Sequence, residues 1–262
     1  MRKKLGKKDG FLSSYGGTIL IVVMTFLLYE LATDVTGRLD KMFFPGFSKI
    51  IPKMIDSRAK VWASIISSMK LLIPGYFGAL VLGVFLGVLI GSNPKVHKNL
   101  QPIIFALTPI PPSMLTPYLI AILPTFYMSS VAIIFIGCFW PILTGTISGI
   151  VLTEQTYLDN ADVMEFRGLK RIFYITLPAA SPHIFSGAAT ALNFSFILLL
   201  VAEMFATNSG LGYFVQYYAD FSDYARVIGG LLVTGVVVVI LKTLFEKIKH
   251  RVLFWSLNDQ AK

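Results

Sequence analysis

Charge is what this sequence has least of for its length, and cysteine and histidine are scarcer still. Only 14% of the 262 residues are charged, against 55% hydrophobic. One soluble core cannot bury that much apolar surface, so the chain belongs to the class that crosses a membrane several times. The single cysteine, Cys138, excludes an intrachain disulfide and sits in an apolar run as a small packing residue. The three histidines, His97, His183 and His250, are scattered near predicted membrane edges, which argues against a metal site. No GxxxxGK[ST], HExxH or GxSxG occurs, so the chain carries no phosphate-cradling loop and no motif of a zinc peptidase or serine hydrolase. An intramembrane enzyme would need a nucleophile with its base, or a metal cluster, at membrane depth, and the residues supply neither. No cofactor is implied. The net charge of +9 is not a nucleic-acid signal, because the basic residues lie beside apolar runs and form no groove pattern with interleaved aromatics.

What is there is a succession of apolar stretches near the ~20 residues a span requires. They run over residues 15–32, 71–90, 103–123, 130–152, 184–206 and 227–241. The basic start resembles the charged region of a signal peptide, but no small-residue cleavage pattern follows, so an uncleaved first span is expected. The second span carries Gly83, Gly87 and Gly91 at four-residue spacing, a face of bare backbone suited to close helix packing. The third contains or abuts Pro102, Pro109, Pro111, Pro112, Pro117 and Pro124. Each removes a backbone donor, so this helix is predicted to be broken or kinked and shielded by protein; it either lines a pathway or is a kinked support. Pro141 lies inside the fourth span.

Lysine and arginine set the predicted orientation. Arg2, Lys3, Lys4, Lys7 and Lys8, then Lys95 and Lys98, then Arg167, Lys170 and Arg171, then Lys242, Lys247, Lys249 and Arg251 all fall on one side if the N-terminus is cytoplasmic. The exception is the first external stretch, residues 33–70, which is basic and comparatively long. Part of it, residues 47–69, has apolar residues at roughly helical spacing and is read either as a segment lying along the outer interface or as a solvated linker. The organisation expected is a cytoplasmic basic N-terminus over residues 1–14, one membrane domain over 15–252 and a cytoplasmic tail over 253–262.

The stretch that organises the chain is the polar interruption at residues 156–182, TYLDNADVMEFRGLKRIFYITLPAASP. Helix formers, a glycine near the middle and a Leu-Pro end make it a short helical elbow presented to the cytoplasm. Asp159 and Asp162 beside Arg167, Lys170 and Arg171 form a dipolar surface suited to charge-complementary docking, or else an ordinary solvated loop.

This elbow resembles the cytoplasmic loop of bacterial ABC-importer permeases, whose pattern is Glu-Ala-Ala, three residues, Gly, nine residues, Ile-x-Leu-Pro. Ile175, Leu177 and Pro178 fill the closing motif, and counting back puts Asp159, Asn160 and Ala161 on the Glu-Ala-Ala. The family glycine falls on Glu165, a departure, and Gly168 is expected to supply the turn instead, which would lengthen the first short helix by almost one turn. Pro-Ile-Pro-Pro at 109–112 with Pro117 resembles the Arg-Pro-Ile-Pro-Pro of the nitrate, sulfonate and taurine group, with Thr108 where those have Arg. Leu-Pro-Ala-Ala-Ser-Pro at 177–182, Val-Ala-Glu-Met at 201–204, Ser-Gly-Leu-Gly-Tyr at 209–213 and the basic tail ending near Trp255 follow in order, so the resemblance covers about residues 60–256. Leu-Pro-Thr-Phe-Tyr-Met-Ser-Ser at 123–130 departs from the group's external turn.

The resemblance implies an all-α polytopic membrane protein of six transmembrane helices with a cytoplasmic coupling-helix loop at 153–182, like the type I ABC importer permeases. Such permeases pair as dimers in the bacterial cytoplasmic membrane. They receive a small solute from an external binding protein or lipoprotein and dock their elbows on two ATPase subunits. The coupling residues it implies are Asp159, Asn160, Ala161, Asp162, Glu165, Arg167, Gly168, Leu177 and Pro178, with the Leu177-Pro178 junction passing displacement to the fifth span as a nearly rigid strut. Pathway or gate candidates are Pro111, Pro112, Met114, Asn193 and Glu203. Asn193 faces either a partner helix or the cavity. Glu203 either holds the 209–213 turn through backbone amides, the favoured reading because a lone carboxylate repels an anion, or lines the path. The solute would be a sulfonate, a nitrate-like anion or a nitrogen heterocycle. The competing class, a self-contained channel or secondary carrier, calls for buried ionisable pairs or an inverted repeat, and neither is seen.

Overall fold

The computed structural model describes residues 11–254. The N-terminal cluster from Arg2 to Lys8 and the tail from Trp255 onward lie outside the described residues. Among the described residues, all regular structure is helical. The first helix, α1 (Phe11–Glu30), runs into a π-helical turn, Leu31–Val35. A short amphipathic helix, α2 (Phe47–Asp56), leads directly into the long α3 (Arg58–Gly91). Asn93 then starts α4 (Pro94–Leu107): its side-chain oxygen accepts from the Lys95 and Val96 amides at 3.1 and 3.3 Å, and Pro94 occupies a position where no amide proton is needed.

The proline run breaks the chain there. After a bend of 75°, a 3-10 turn, Pro112–Leu115, opens α5 (Thr116–Ile122). Thr125 caps α6 (Phe126–Val151), accepting from the Met128 amide at 3.2 Å. The elbow follows as α7 (Gln155–Val163) and α8 (Leu169–Arg171), then a π-helical turn, Ile172–Thr176, and α9 (Leu177–Ala206). Helix α10 (Leu211–Asp220) and α11 (Tyr224–Val252) complete the fold. Among the described residues five helices are long and apolar enough to cross a bilayer, and the bent α4/α5 pair adds a sixth if its two arms together make one broken span rather than a re-entrant loop.

The core is the three-helix stack of α3, α6 and α9. Leu72, Tyr76 and Ala79 of α3 meet Ile134, Cys138 and Ile142 of α6 and Leu192, Phe196 and Leu199 of α9. The Tyr76 hydroxyl donates to the Ala188 carbonyl at 2.9 Å, so the one phenol in that core leaves no polar atom orphaned in a medium without water. Large apolar side chains point outward, among them Leu20 and Leu27 on α1, Phe77, Val81 and Phe85 on α3, and Val236, Val239 and Ile240 on α11. A surface this apolar is solvated by lipid.

Small residues let the core helices close. A β-carbon on Gly83 would lie 2.9 Å from Ile142, on Gly87 2.5 Å from Thr146, and on Gly91 3.1 Å from Ile150, so these three glycines of α3 face α6. A second seam, between α6 and α9, has Gly145 against Gly187, where either β-carbon would enter the other helix's backbone.

Two expectations change. Residues 58–69, read as part of an interfacial or linker stretch, are the first turns of α3. No helix breaker interrupts them, and Ser64 and Ser68 are buried there because α3 packs against α10. The basic residues of the 33–70 stretch are also partly matched by acids. Lys53 pairs with Asp223 at 2.7 Å, while Arg226 bridges Asp223 and Asp56 at 2.7 and 2.6 Å and donates to Ser57. This network ties α2 to the start of α11.

Candidate functional site

The α7 arm of the elbow is built from its one buried residue. Ala161 is fully enclosed where α7 lies against the π-helical base of α9, and a side chain larger than a methyl would push the helix off its seat. The remaining candidates of this group on the elbow, Asp159, Asn160, Asp162, Glu165, Arg167 and Gly168, are exposed. Their charges are partly matched at home. Asp159 accepts from Gln155 at 2.9 Å within α7, and Asp162 accepts from Arg171 at 2.8 Å, an exposed ion pair that links α7 to α8 but is worth only ~0.2–1 kcal/mol.

Helix α7 is not lengthened past the expected glycine position. It ends at Val163, where the Phe166 amide donates back to the Ala161 carbonyl at 2.9 Å and the chain turns. Both Glu165 and Gly168 take left-handed backbone, φ 55° and 56°. Position 165 therefore keeps the conformation that suits glycine although it carries glutamate.

Charge patterning hid a further feature of this loop. Val163 is 83% exposed, Met164 59% and Leu169 72%. Three apolar side chains on the outside of a polar elbow form a knob with nothing of this chain upon it. The signal was present in the sequence, as apolar residues in a stretch otherwise read for its charges.

From the elbow the chain climbs without a break into α9, since residues 169–206 are helical throughout. Pro178 has no amide proton and its ring crowds the carbonyl four residues back. The turn before it widens to π geometry, with the Leu177 amide donating to the Ile172 carbonyl, and the helix absorbs the proline rather than ending.

The pathway candidates separate into two groups. Pro111 and Met114 are exposed at the α4/α5 bend, with Met114 72% exposed, and Pro112 is half-buried beside Gly137 of α6. The Thr116 hydroxyl at the same bend is buried with no hydrogen-bond partner. Asn193 is exposed on α9 and shares a small recess with Lys242 and Glu246 of α11.

Glu203 does not belong with them. It is fully buried. One carboxylate oxygen accepts from the Ser68 hydroxyl at 2.6 Å and the other from the Gly212 amide at 2.7 Å, while the Ser68 oxygen accepts from the Leu211 amide at 2.9 Å. Carboxylate and hydroxyl together satisfy the first amides of α10, where the helix dipole favours negative charge. Gly210, at φ 115°, lies so close to this carboxylate that a β-carbon there would collide with it. The residue holds the 209–213 turn and has no face left for a solute.

Among the described residues no cluster of His, Cys, Asp and Glu is arranged to hold a metal ion.

Comparison with known proteins places these features. A family model described as a binding-protein-dependent transport system inner membrane component matches residues 79–253. The nitrate import permease protein of Synechocystis sp. is 32% identical over 177 residues, 68% of this chain and 64% of that protein. The taurine transport system permease protein of Escherichia coli is 24% identical over 246 residues, 91% of this chain and 90% of that protein. The putative aliphatic sulfonates transport permease protein of Bacillus subtilis is 28% identical over 174 residues, 66% and 63% of the two chains. The chain thus spans just under two thirds of the nitrate and sulfonate relatives and nearly all of the taurine relative.

Proposed function

Because this chain belongs to the binding-protein-dependent inner-membrane components, the permeases of ABC importers of the nitrate, sulfonate and taurine type, we propose that it carries a small anion inward, using ATP hydrolysed by separate subunits. An external binding protein delivers the anion, and two copies of the chain enclose its path. The N-terminus, the elbow and the tail then face the cytoplasm of a bacterial cell, a reading that the bias of lysine and arginine outside the 33–70 stretch supports.

The observation that carries this reading is the apolar knob. Val163, Met164 and Leu169 are exposed on a loop that Ala161, the enclosed residue of α7, fixes to the base of α9. Apolar anchors ringed by charge are the anatomy of a docking site, with the anchors supplying affinity and Asp159, Arg167 and Lys170 supplying register. Glu165, Gly168 and Asn160 shape the turn that presents them. When the ATPase pair closes, displacement of the two knobs passes through the continuous 169–206 helix, Leu177 and Pro178 included, to the core stack. The α4/α5 bend, with Pro111, Pro112 and Met114, and Asn193 are the surfaces that line the path. The path is chosen for protein-lined breaks because irregular backbone at membrane depth persists only beside protein or a water-filled cavity.

The test is copurification of the full complex from its own cell. Met164→Glu is expected to lower recovery of the ATPase subunit and solute uptake at least about tenfold, as for an interface anchor, while leaving membrane insertion unchanged. Recovery of the ATPase subunit in undiminished amount would sink the docking role.

A further inference from the structure

At the end of the molecule opposite the elbow, a cavity of about 300 Å³ opens between the first turns of α3 and helix α10. Lys60, Ser64, Asn208, Ser209, Tyr213 and Tyr217 line it, and no carboxylate does. We propose that this cavity is an anion subsite at the outer mouth, taking a singly charged oxyanion that carries a short apolar body, with Lys60 as its charge partner. The proposal rests on the importer reading above and assigns a position at the outer end of the spans at which solute is held before it enters the path.

Lys60 carries the inference. Two cations of this end are matched, Lys53 by Asp223 and Arg226 by Asp56 and Asp223; among those without an acid, Lys60 is the one that lines the cavity. Lys60 makes no ion pair among the described residues. Its ammonium finds only the Tyr218 hydroxyl, at 3.4 Å, and lies 5.9 Å from the centre of that ring. A lysine at a span edge ordinarily extends to water with nothing built around it. This one lines an open cavity whose other polar groups, two serine hydroxyls, an asparagine amide and three phenols, can all donate hydrogen bonds. Donors converging beside an unmatched cation suit an oxyanion.

The walls narrow the class further. Aromatic rings and Ala63 make most of the lining, so a strongly hydrated, doubly charged ion would lose more solvation there than one lysine returns. A monovalent head with a small apolar tail loses less and gains ring contact. The volume is at the lower end of small-molecule sites, enough for a few heavy atoms and their water. The cavity is also held in shape. Ser67 and Ser209 share a 2.7 Å hydrogen bond across its rim, and the Glu203 and Ser68 contacts fix the start of α10 behind it.

The shared chemistry, a monovalent oxyanion, is also that of a lipid headgroup, and the test separates the two. The full chain is placed in phosphatidylcholine nanodiscs and binding of carbon-13 methanesulfonate is followed by ligand line broadening, with nitrate as competitor. Saturable broadening is expected, reversed less readily by nitrate than by unlabelled methanesulfonate. Lys60→Met should weaken binding at least about tenfold, the loss typical of a hydrogen bond to a charged group, and Lys60→Arg should retain it. Asn208→Leu, which leaves the lysine and the fold of α3 untouched, should weaken it by a smaller factor. Lys49→Met, a cation of the same end away from the cavity, should bind as the parent does.

Undiminished binding by Lys60→Met would overturn the proposal, as would an equal loss in Lys49→Met. So would broadening that disappears once phosphatidylglycerol is added, since the cavity would then belong to lipid. Uptake by the assembled complex distinguishes the two levels. If Lys60→Met binds no methanesulfonate yet imports normally, the subsite falls and the importer reading stands. If the parent binds in nanodiscs but the complex shows no ATP-dependent uptake, the importer reading fails and the anion site remains.

Discussion

At the scale of single residues, two glutamates depart from what their surroundings ordinarily favour. Glu165 sits at φ 55°, a conformation costing a side-chain-bearing residue ~1 kcal/mol or more. Glu165→Gly is therefore expected to stabilise the turn by up to ~1 kcal/mol. The readout is slower hydrogen exchange at the Phe166 amide, whose bond to Ala161 closes that turn. Glu165→Lys keeps the strain and reverses the charge, so its exchange should match the parent while ATPase association falls. Glu203 is the other case: a buried carboxylate with neutral donors on both oxygens. Glu203→Gln replaces one acceptor by a donor and leaves the Gly212 amide or the Ser68 hydroxyl unmatched, a loss of ~1–3 kcal/mol. Gly210→Ala should do more damage, because it combines left-handed backbone with a collision. Proteolysis of the 207–212 segment in purified protein measures both, and resistance equal to the parent in either would contradict the assigned role.

At the scale of elements, the helices close wherever glycine meets the neighbouring backbone or side chain. Gly87→Leu is expected to prevent recovery of folded chain from the membrane, since its β-carbon alone would stand 2.5 Å from Thr146. Gly235→Ala on α11 has open space around it and should gain ~0.5–1 kcal/mol from helix propensity, seen as a higher melting temperature. The contrast also shows what was legible beforehand. Gly83, Gly87 and Gly91 announced a packing face because three points at one spacing fix a stripe on a single helix. The α6/α9 seam went unread, because Gly145 and Gly187 acquire meaning only once two distant helices are laid together. The five long apolar helices and the proline break were readable, being set by local composition. The burial of Glu203 was not, since its partner Ser68 lies 135 residues away in the chain. On the elbow, register and charge were plain, but exposure of Val163, Met164 and Leu169 depends on how α7 seats against α9.

At the scale of the whole molecule, the end opposite the elbow is fastened by acid and base. Burial by itself would raise the Asp223 carboxyl, but hydrogen bonds from Lys53 and Arg226 outweigh it and hold the group below its ordinary value. Folded protein then binds fewer protons at this site than unfolded protein. The stabilisation is complete above the ordinary carboxylate value of ~3.9 and drains away as pH falls through the lower, folded value. Melting temperature between pH 7 and pH 3 should therefore drop further in the parent than in Asp223→Asn; parallel curves would remove Asp223 from the fastening. The continuous α9 gives the molecule one more property. That helix packs tightly on α6 at Gly187, ten residues from Leu177 and sixteen from Glu203, arms of ~15 and ~24 Å at 1.5 Å per residue. A rigid rod rocking on that glycine would swing its outer tip through a wider arc than its inner one, and in the opposite sense.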